Sequence, residues 1–157
     1  MRLHICAVGR MRAIDAERPL FDDYLTRFNR TARPLGLGPL AEHEVEDRKG
    51  GGMATEADLL ARVVPPAALL VVMDERGAVH SSPEFAAQLA KWRDDGRQDL
   101  AFVIGGADGV APALRDRADM ALSFGRMVWP HMLVRVMLAE QLYRAATILA
   151  GGPYHRL

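Results

Sequence analysis

A chain of 157 residues with half of them hydrophobic is long enough for one domain with its own core, and is not a disordered segment. Twenty Lys and Arg balance twenty Asp and Glu, which excludes a free-standing basic nucleic-acid binder: any contact with nucleic acid must be local or helped by other surfaces. The single cysteine, Cys6, rules out an internal disulfide, and none of the five His stands at metal-ligand spacing from another His or from the cysteine, so no metal is expected.

Strand and helix signals alternate along the chain. Leu3–Val8 reads as a short buried strand. Residues 15–30 carry apolar side chains at 20, 21, 24, 25 and 28, one face of a helix. Residues 31–39, with Pro34, Gly36, Gly38 and Pro39, form a loop. A weaker strand follows over 40–46, then a polar loop with Arg48, Lys49 and three glycines. A helix over 54–64 is stopped by Pro65 and Pro66. A second buried strand covers 68–73. Ser82, Pro83 and Glu84 look like the cap and first turn of a helix running to about Asp95, with Gly96 at its stop. Residues 100–104 form the next strand, 111–118 a short helix, 120–123 a short strand and 131–149 a last helix ended by Gly151, Gly152 and Pro153.

This order predicts an α/β fold: one domain over residues 1–157, a largely parallel sheet and helices on both faces. The apolar runs are too short for a membrane span, and the first residues lack a signal-cleavage pattern, so a cytoplasmic protein is expected. The last helix is apolar nearly all round. Either it is central to the chain's own core or, the favoured reading, its second side meets another copy of the chain.

Three segments near the end carry chemistry. Ile104-Gly105-Gly106-Ala107-Asp108-Gly109 joins a strand to a helix, the place of a ligand turn at the carboxyl edge of a parallel sheet. It lacks the Gly-Lys-Ser/Thr of a phosphate loop and the spacing of a dinucleotide fingerprint; a plain tight turn is the competing reading. The loop Phe124–Pro130 offers backbone groups to a flat ligand while Met127, Val128 and Trp129 cover its faces. Only Arg126 is there for a phosphate, which favours a neutral or cationic ligand. His131 opens the last helix, whose dipole favours the neutral imidazole, able to orient a ligand or accept a proton. Tyr154, His155 and Arg156 put a stacking group, a titratable group and a phosphate binder side by side. A helix of 19 residues is roughly 28 Å long. The tail after it reaches at most about 25 Å. It therefore starts far from its own Phe124–Pro130 loop, and a partner subunit's site is the easier target. The Arg48–Gly52 stretch could touch phosphates, but a solvated loop is the simpler reading.

The chain resembles the RlmH methyltransferases of the SPOUT superfamily. The resemblance covers its whole length and is carried by the Leu3–Gly9 strand, Trp92 with Asp95-Gly96, the Ile104–Gly109 turn, Pro130-His131-Leu133-Val134-Arg135-Val136, Glu140-Gln141-Leu142-Tyr143-Arg144-Ala145 and Pro153-Tyr154-His155-Arg156. Leu157 extends one residue past the usual family ending. The resemblance implies a C-terminal trefoil knot, a homodimer, and S-adenosylmethionine bound by Met73, Gly105 and the loop Gly125, Arg126, Met127, Val128, Trp129 and Pro130. It further implies methylation of N3 of pseudouridine 1915 in helix 69 of 23S rRNA, on the assembled 70S ribosome. His155 and Tyr154 of the partner's tail are expected nearest the N3 proton, with Arg156 and Arg135 holding phosphate or the substrate base. No metal is needed, because the sulfonium is already activated. The competing readings are a related SPOUT enzyme acting on another RNA, a dimer that only binds ribosomes, and a generic nucleotide-binding α/β protein, which the missing phosphate loop disfavours.

Overall fold

In a computed structural model, which describes residues 1–156, five strands form one sheet in the order β2-β1-β4-β3-β5, with every strand pair parallel. The elements are β1 (Arg2–Val8), α1 (Glu17–Ala32), a 3-10 turn (Arg33–Leu35), β2 (Leu40–Val45), α2 (Gly52–Val63), β3 (Leu69–Val79), α3 (Ser82–Asp94), β4 (Asp99–Ile104), α4 (Pro112–Asp116), β5 (Met120–Ser123) and α5 (His131–Leu149). Leu157 lies outside the described residues.

Alternation along β1 explains the layers. Leu3, Ile5 and Ala7 face one side, where Phe21 and Phe28 of α1, Phe85, Leu89 and Trp92 of α3, and Leu138 and Leu142 of α5 complete the main core. Cys6 and Val8 face the other side, with Leu60 of α2 and Leu114 of α4. The cysteine is fully buried, and burial pushes its thiol up to about 12, so it stays a protonated packing group.

Three sequence expectations shift. The cap of α3 is Ser81, one residue earlier than the sequence suggested: its hydroxyl accepts from the Glu84 amide while the Glu84 carboxylate accepts from the Ser81 amide. The third strand runs on to Val79, not Met73. Its register breaks between Met73 and Ala78, both of which pair with Leu122, so Asp74–Gly77 bulges from the carboxyl edge of the sheet. Gly77 is required there, because a Cβ would lie 2.6 Å from the Ala121 backbone.

The third shift concerns α5. It packs on the sheet between α1 and α3, so much of its apolar circumference is used inside the chain. Only at its start does a large apolar side chain, Leu133, stay exposed, beside exposed Met127, Val128 and Trp129.

Candidate active site

The carboxyl ends of β3, β4 and β5 converge on a cavity of about 570 Å³. One wall is the glycine turn after β4. Gly109 N–H donates to the Gly106 carbonyl at 3.1 Å, closing the turn, and a Cβ on Gly105 would collide with the Gly109 carbonyl. A second wall is the loop between β5 and α5. Ser123 is buried at the end of β5; its one hydroxyl proton faces the Gly125 carbonyl at 2.8 Å and the Glu75 carbonyl at 3.1 Å, and its oxygen accepts from the Gly125 amide at 3.0 Å. Gly125 has φ +117°, open to glycine and strained for other residues. The third wall is the bulge of β3.

Of the sequence-predicted cofactor residues, Met73, Gly105, Gly125, Met127, Val128, Trp129 and Pro130 all line this one cavity. Arg126 does not; it is exposed to solvent. His131 lines it from the first turn of α5. Sequence reasoning missed Asp74, Glu75 and Arg76, which also line it. Asp74 is nearly buried and meets Arg76 at 2.9 Å and Arg115 at 3.3 Å, and the Arg76 hydrogen bonds hold its carboxyl below the usual carboxylate range. An acid directly after an apolar run was the available signal. Asp108 adds a further acid from the glycine turn. With Asp74 taken by its two arginines, Glu75 and Asp108 are the acids left beside apolar Met73, Leu122 and Trp129, a lining that suits a flat ligand with cationic character.

Arg135 corrects an expectation. It cannot hold phosphate or a base, because it is fully buried with both Nη groups taken: Nη1 reaches Glu42 at 2.9 Å and Glu44 at 2.8 Å, and Nη2 reaches the carbonyls of Val8 and Gly9 at 3.2 and 3.0 Å, while its Nε is buried without a partner among the described residues. It ties the start of α5, and so the cavity wall, to β1 and β2.

The tail stands apart from the cavity of its own chain. Tyr154 donates to Glu140 at 2.9 Å, and His155 Nδ1 lies 3.4 Å from Arg144. Glu140 is nine residues past His131, a rise of about 13 Å. Burial, then the bond to Glu140, pushes the Tyr154 phenol well above its ordinary range, so it keeps its proton and cannot serve as a proton acceptor in this arrangement. Among the described residues no cluster of His, Cys, Asp or Glu could hold a metal ion, and no helix is long and apolar enough to cross a membrane.

The family described as "Predicted SPOUT methyltransferase" matches residues 1–155. The chain belongs to the SPOUT methyltransferase family. A protein named ribosomal RNA large subunit methyltransferase H from Cereibacter sphaeroides is 71% identical over 157 residues, all of both chains. One of the same name from Roseobacter denitrificans is 69% identical over 156 residues, 99% of each chain. A solved probable methylase family protein from Haemophilus influenzae superposes with a TM-score of 0.51 at 11% identity, covering 99% of this chain and 70% of that one, which shows a shared fold alone.

Proposed function

We propose that this protein is an S-adenosylmethionine-dependent methyltransferase of large-subunit ribosomal RNA, acting on N3 of the helix 69 pseudouridine in the assembled 70S ribosome. The observation that carries the reading is the single cavity in which the glycine turn, the 125–130 loop and Met73 meet, in a chain that matches the rRNA methyltransferase H relatives end to end. When bound, the cofactor supplies a methyl group already activated on a sulfonium. Met73, Leu122 and Trp129 would cover its flat part, the bare backbone at Gly105 would let it approach, and Glu75 and Asp108 would favour its positive charge, Asp74 being taken by Arg76 and Arg115. The chain's own work is alignment of N3 with the methyl group, and removal of the N3 proton.

For that proton we assign His155, delivered from the partner's tail, with Arg156 on an RNA phosphate. Two features support the dimer: the tail of each chain docks away from its own cavity, and Met127, Val128, Trp129 and Leu133 leave an apolar patch at the cavity mouth. A C-terminal trefoil knot fits the path of the chain. β5 lies at the sheet edge beyond β3, whereas α5 packs on both α1 and α3, an arrangement in which residues 124–130 would cross the β3–α3 connection. The Ser123 hydroxyl, 3.1 Å from the Glu75 carbonyl and 2.8 Å from that of Gly125, brings the two together.

Mass spectrometry of ribosomal RNA with and without the protein tests the reading. One methyl group should appear at the helix 69 pseudouridine. A methyl group only on another RNA, or binding of ribosomes with no transfer, would sink it. His155→Ala should lower turnover about 100-fold, in the range for a lost acid–base group. Its affinity for S-adenosylmethionine by calorimetry should hold; unchanged turnover would remove His155 from the mechanism.

A further inference from the structure

The cluster around Glu140 is not used by the cavity, and it is built as a fastening. Glu140 Oε1 accepts from the Tyr154 hydroxyl at 2.9 Å and from Arg144 Nε at 3.0 Å. Its Oε2 accepts from Gln141 at 2.8 Å, and Gln141 accepts in turn from the Ser82 hydroxyl at the start of α3 at 2.7 Å. The Tyr154 ring lies 4.7 Å from the Tyr143 ring and 4.7 Å from the Arg144 guanidinium carbon. So Tyr154 is held by a hydroxyl bond, an aromatic contact and a cation over its ring.

The next two residues are held loosely. His155 meets the cluster only through the 3.4 Å contact from Arg144 to Nδ1, near the outer limit of a hydrogen bond. Its Nε2 has no partner among the described residues and is buried against the chain, so the ring gains no hydrogen bond there and must turn outward to meet a substrate. Arg156 is exposed.

We propose that Glu140 and Arg144 are positioning residues that fasten the tail through Tyr154, making Tyr154 a pin and leaving His155 and Arg156 as the groups presented to the substrate. The proposal rests on the reading that the tail completes a methyltransferase site. Its chemical reason is direct: a phenol whose one proton is given to Glu140 has none to give a base, and a ring in contact with both Tyr143 and Arg144 has little face left on which to stack one.

The test compares Tyr154→Phe, Glu140→Ala, Glu140→Gln and the Tyr154→Phe/Glu140→Ala double variant, using full-length protein and 70S ribosomes. Two readouts are taken: single-turnover methylation, and hydrogen exchange of the 154–156 amides. Tyr154→Phe and Glu140→Ala should each lower the rate by about 10–100-fold, the cost of a misplaced group. Each should speed tail exchange, and the double variant should be no worse than either single one, because both break the same bond. Glu140→Gln, whose amide oxygen still accepts, should recover most of the loss. The proposal is overturned if Tyr154→Phe abolishes methylation while tail exchange stays at the wild-type rate, or if the two losses multiply in the double variant. Wild-type protein that transfers no methyl group would defeat the functional reading instead, and tail exchange in the variants would still decide whether Glu140 and Tyr154 fasten the tail.

Discussion

Arg135 carries a charge into a place with no solvent, and it can do so because four oxygens meet it. Two belong to carboxylates of β2 and two to the carbonyl ends of β1, so one side chain joins three elements behind the cavity. Burial already pushes the Glu42 carboxyl above its ordinary range, with the Arg135 hydrogen bond opposing that shift. Arg135→Met keeps the volume and removes the cation, leaving Glu42 and Glu44 short of a partner. Breaking a buried pair in this way costs about 3–5 kcal/mol. The lower end, about 3 kcal/mol, applies here because Arg18 still reaches Glu42 at 2.8 Å and Glu44 is a quarter exposed. Urea unfolding measures it. A loss under about 0.5 kcal/mol, the scale of an ordinary surface change, would show that the network does not hold α5 in place.

The elements differ in how far local sequence fixes them, and α3 is the sharpest case. Its start rests on Ser81, whose reciprocal bonds with Glu84 satisfy two amides that the helix leaves free. Ser81→Ala should cost about 1 kcal/mol in urea unfolding, while Ser82→Ala should cost less, because Ser82 caps nothing and only reaches Gln141. Equal losses would contradict the assignment. The sequence placed the cap at Ser82 because Ser-Ser-Pro-Glu fits two registers by composition, and only the path of the chain separates them. Apolar runs made β1, β4 and β5 legible, and the glycine turn and Pro130-His131 marked two walls of the cavity. The third wall was hidden: Asp74-Glu75-Arg76 reads as the end of a strand, and its bulge depends on where Met73 and Ala78 meet Leu122. Arg135 misled for a related reason. An Arg on a helix carries no sign in the sequence of whether it faces solvent or two glutamates brought in from another strand.

Neutral net charge at the scale of the whole molecule is a matter of pairing as well as of counting. Arg2, Arg12, Arg18, Arg27, Arg135 and Arg144 all sit within ion-pair distance of Asp or Glu on the same chain. Nine exposed cations stand outside the ion pairs among the described residues, Arg10, Arg30, Arg33, Lys49, Arg62, Arg97, Arg117, Arg126 and Arg156, and they are scattered along the chain. Only Arg126 belongs to the cavity loop and Arg156 to the tail, with Arg10 next to Gly9, which sits beside His131. Each phosphate neutralised on a single strand contributes about −0.7 to the slope of log affinity against log salt, so contacts from Arg10, Arg126 and Arg156 alone give a slope near −2, shallow for an RNA binder. A protein whose free cations are scattered, with few of them by the cavity, must draw affinity from shape and from surfaces beyond one stem-loop. Methylation of intact 70S ribosomes should therefore proceed far faster than methylation of the isolated helix 69 stem-loop at the same concentration. Binding to the stem-loop should be weak even at low salt, with the shallow slope just given. Transfer rates on the two substrates, each over a salt series, supply the check. Equal rates, or a steep salt slope on the naked RNA, would mean that a basic surface formed by two chains together carries recognition in place of the ribosome.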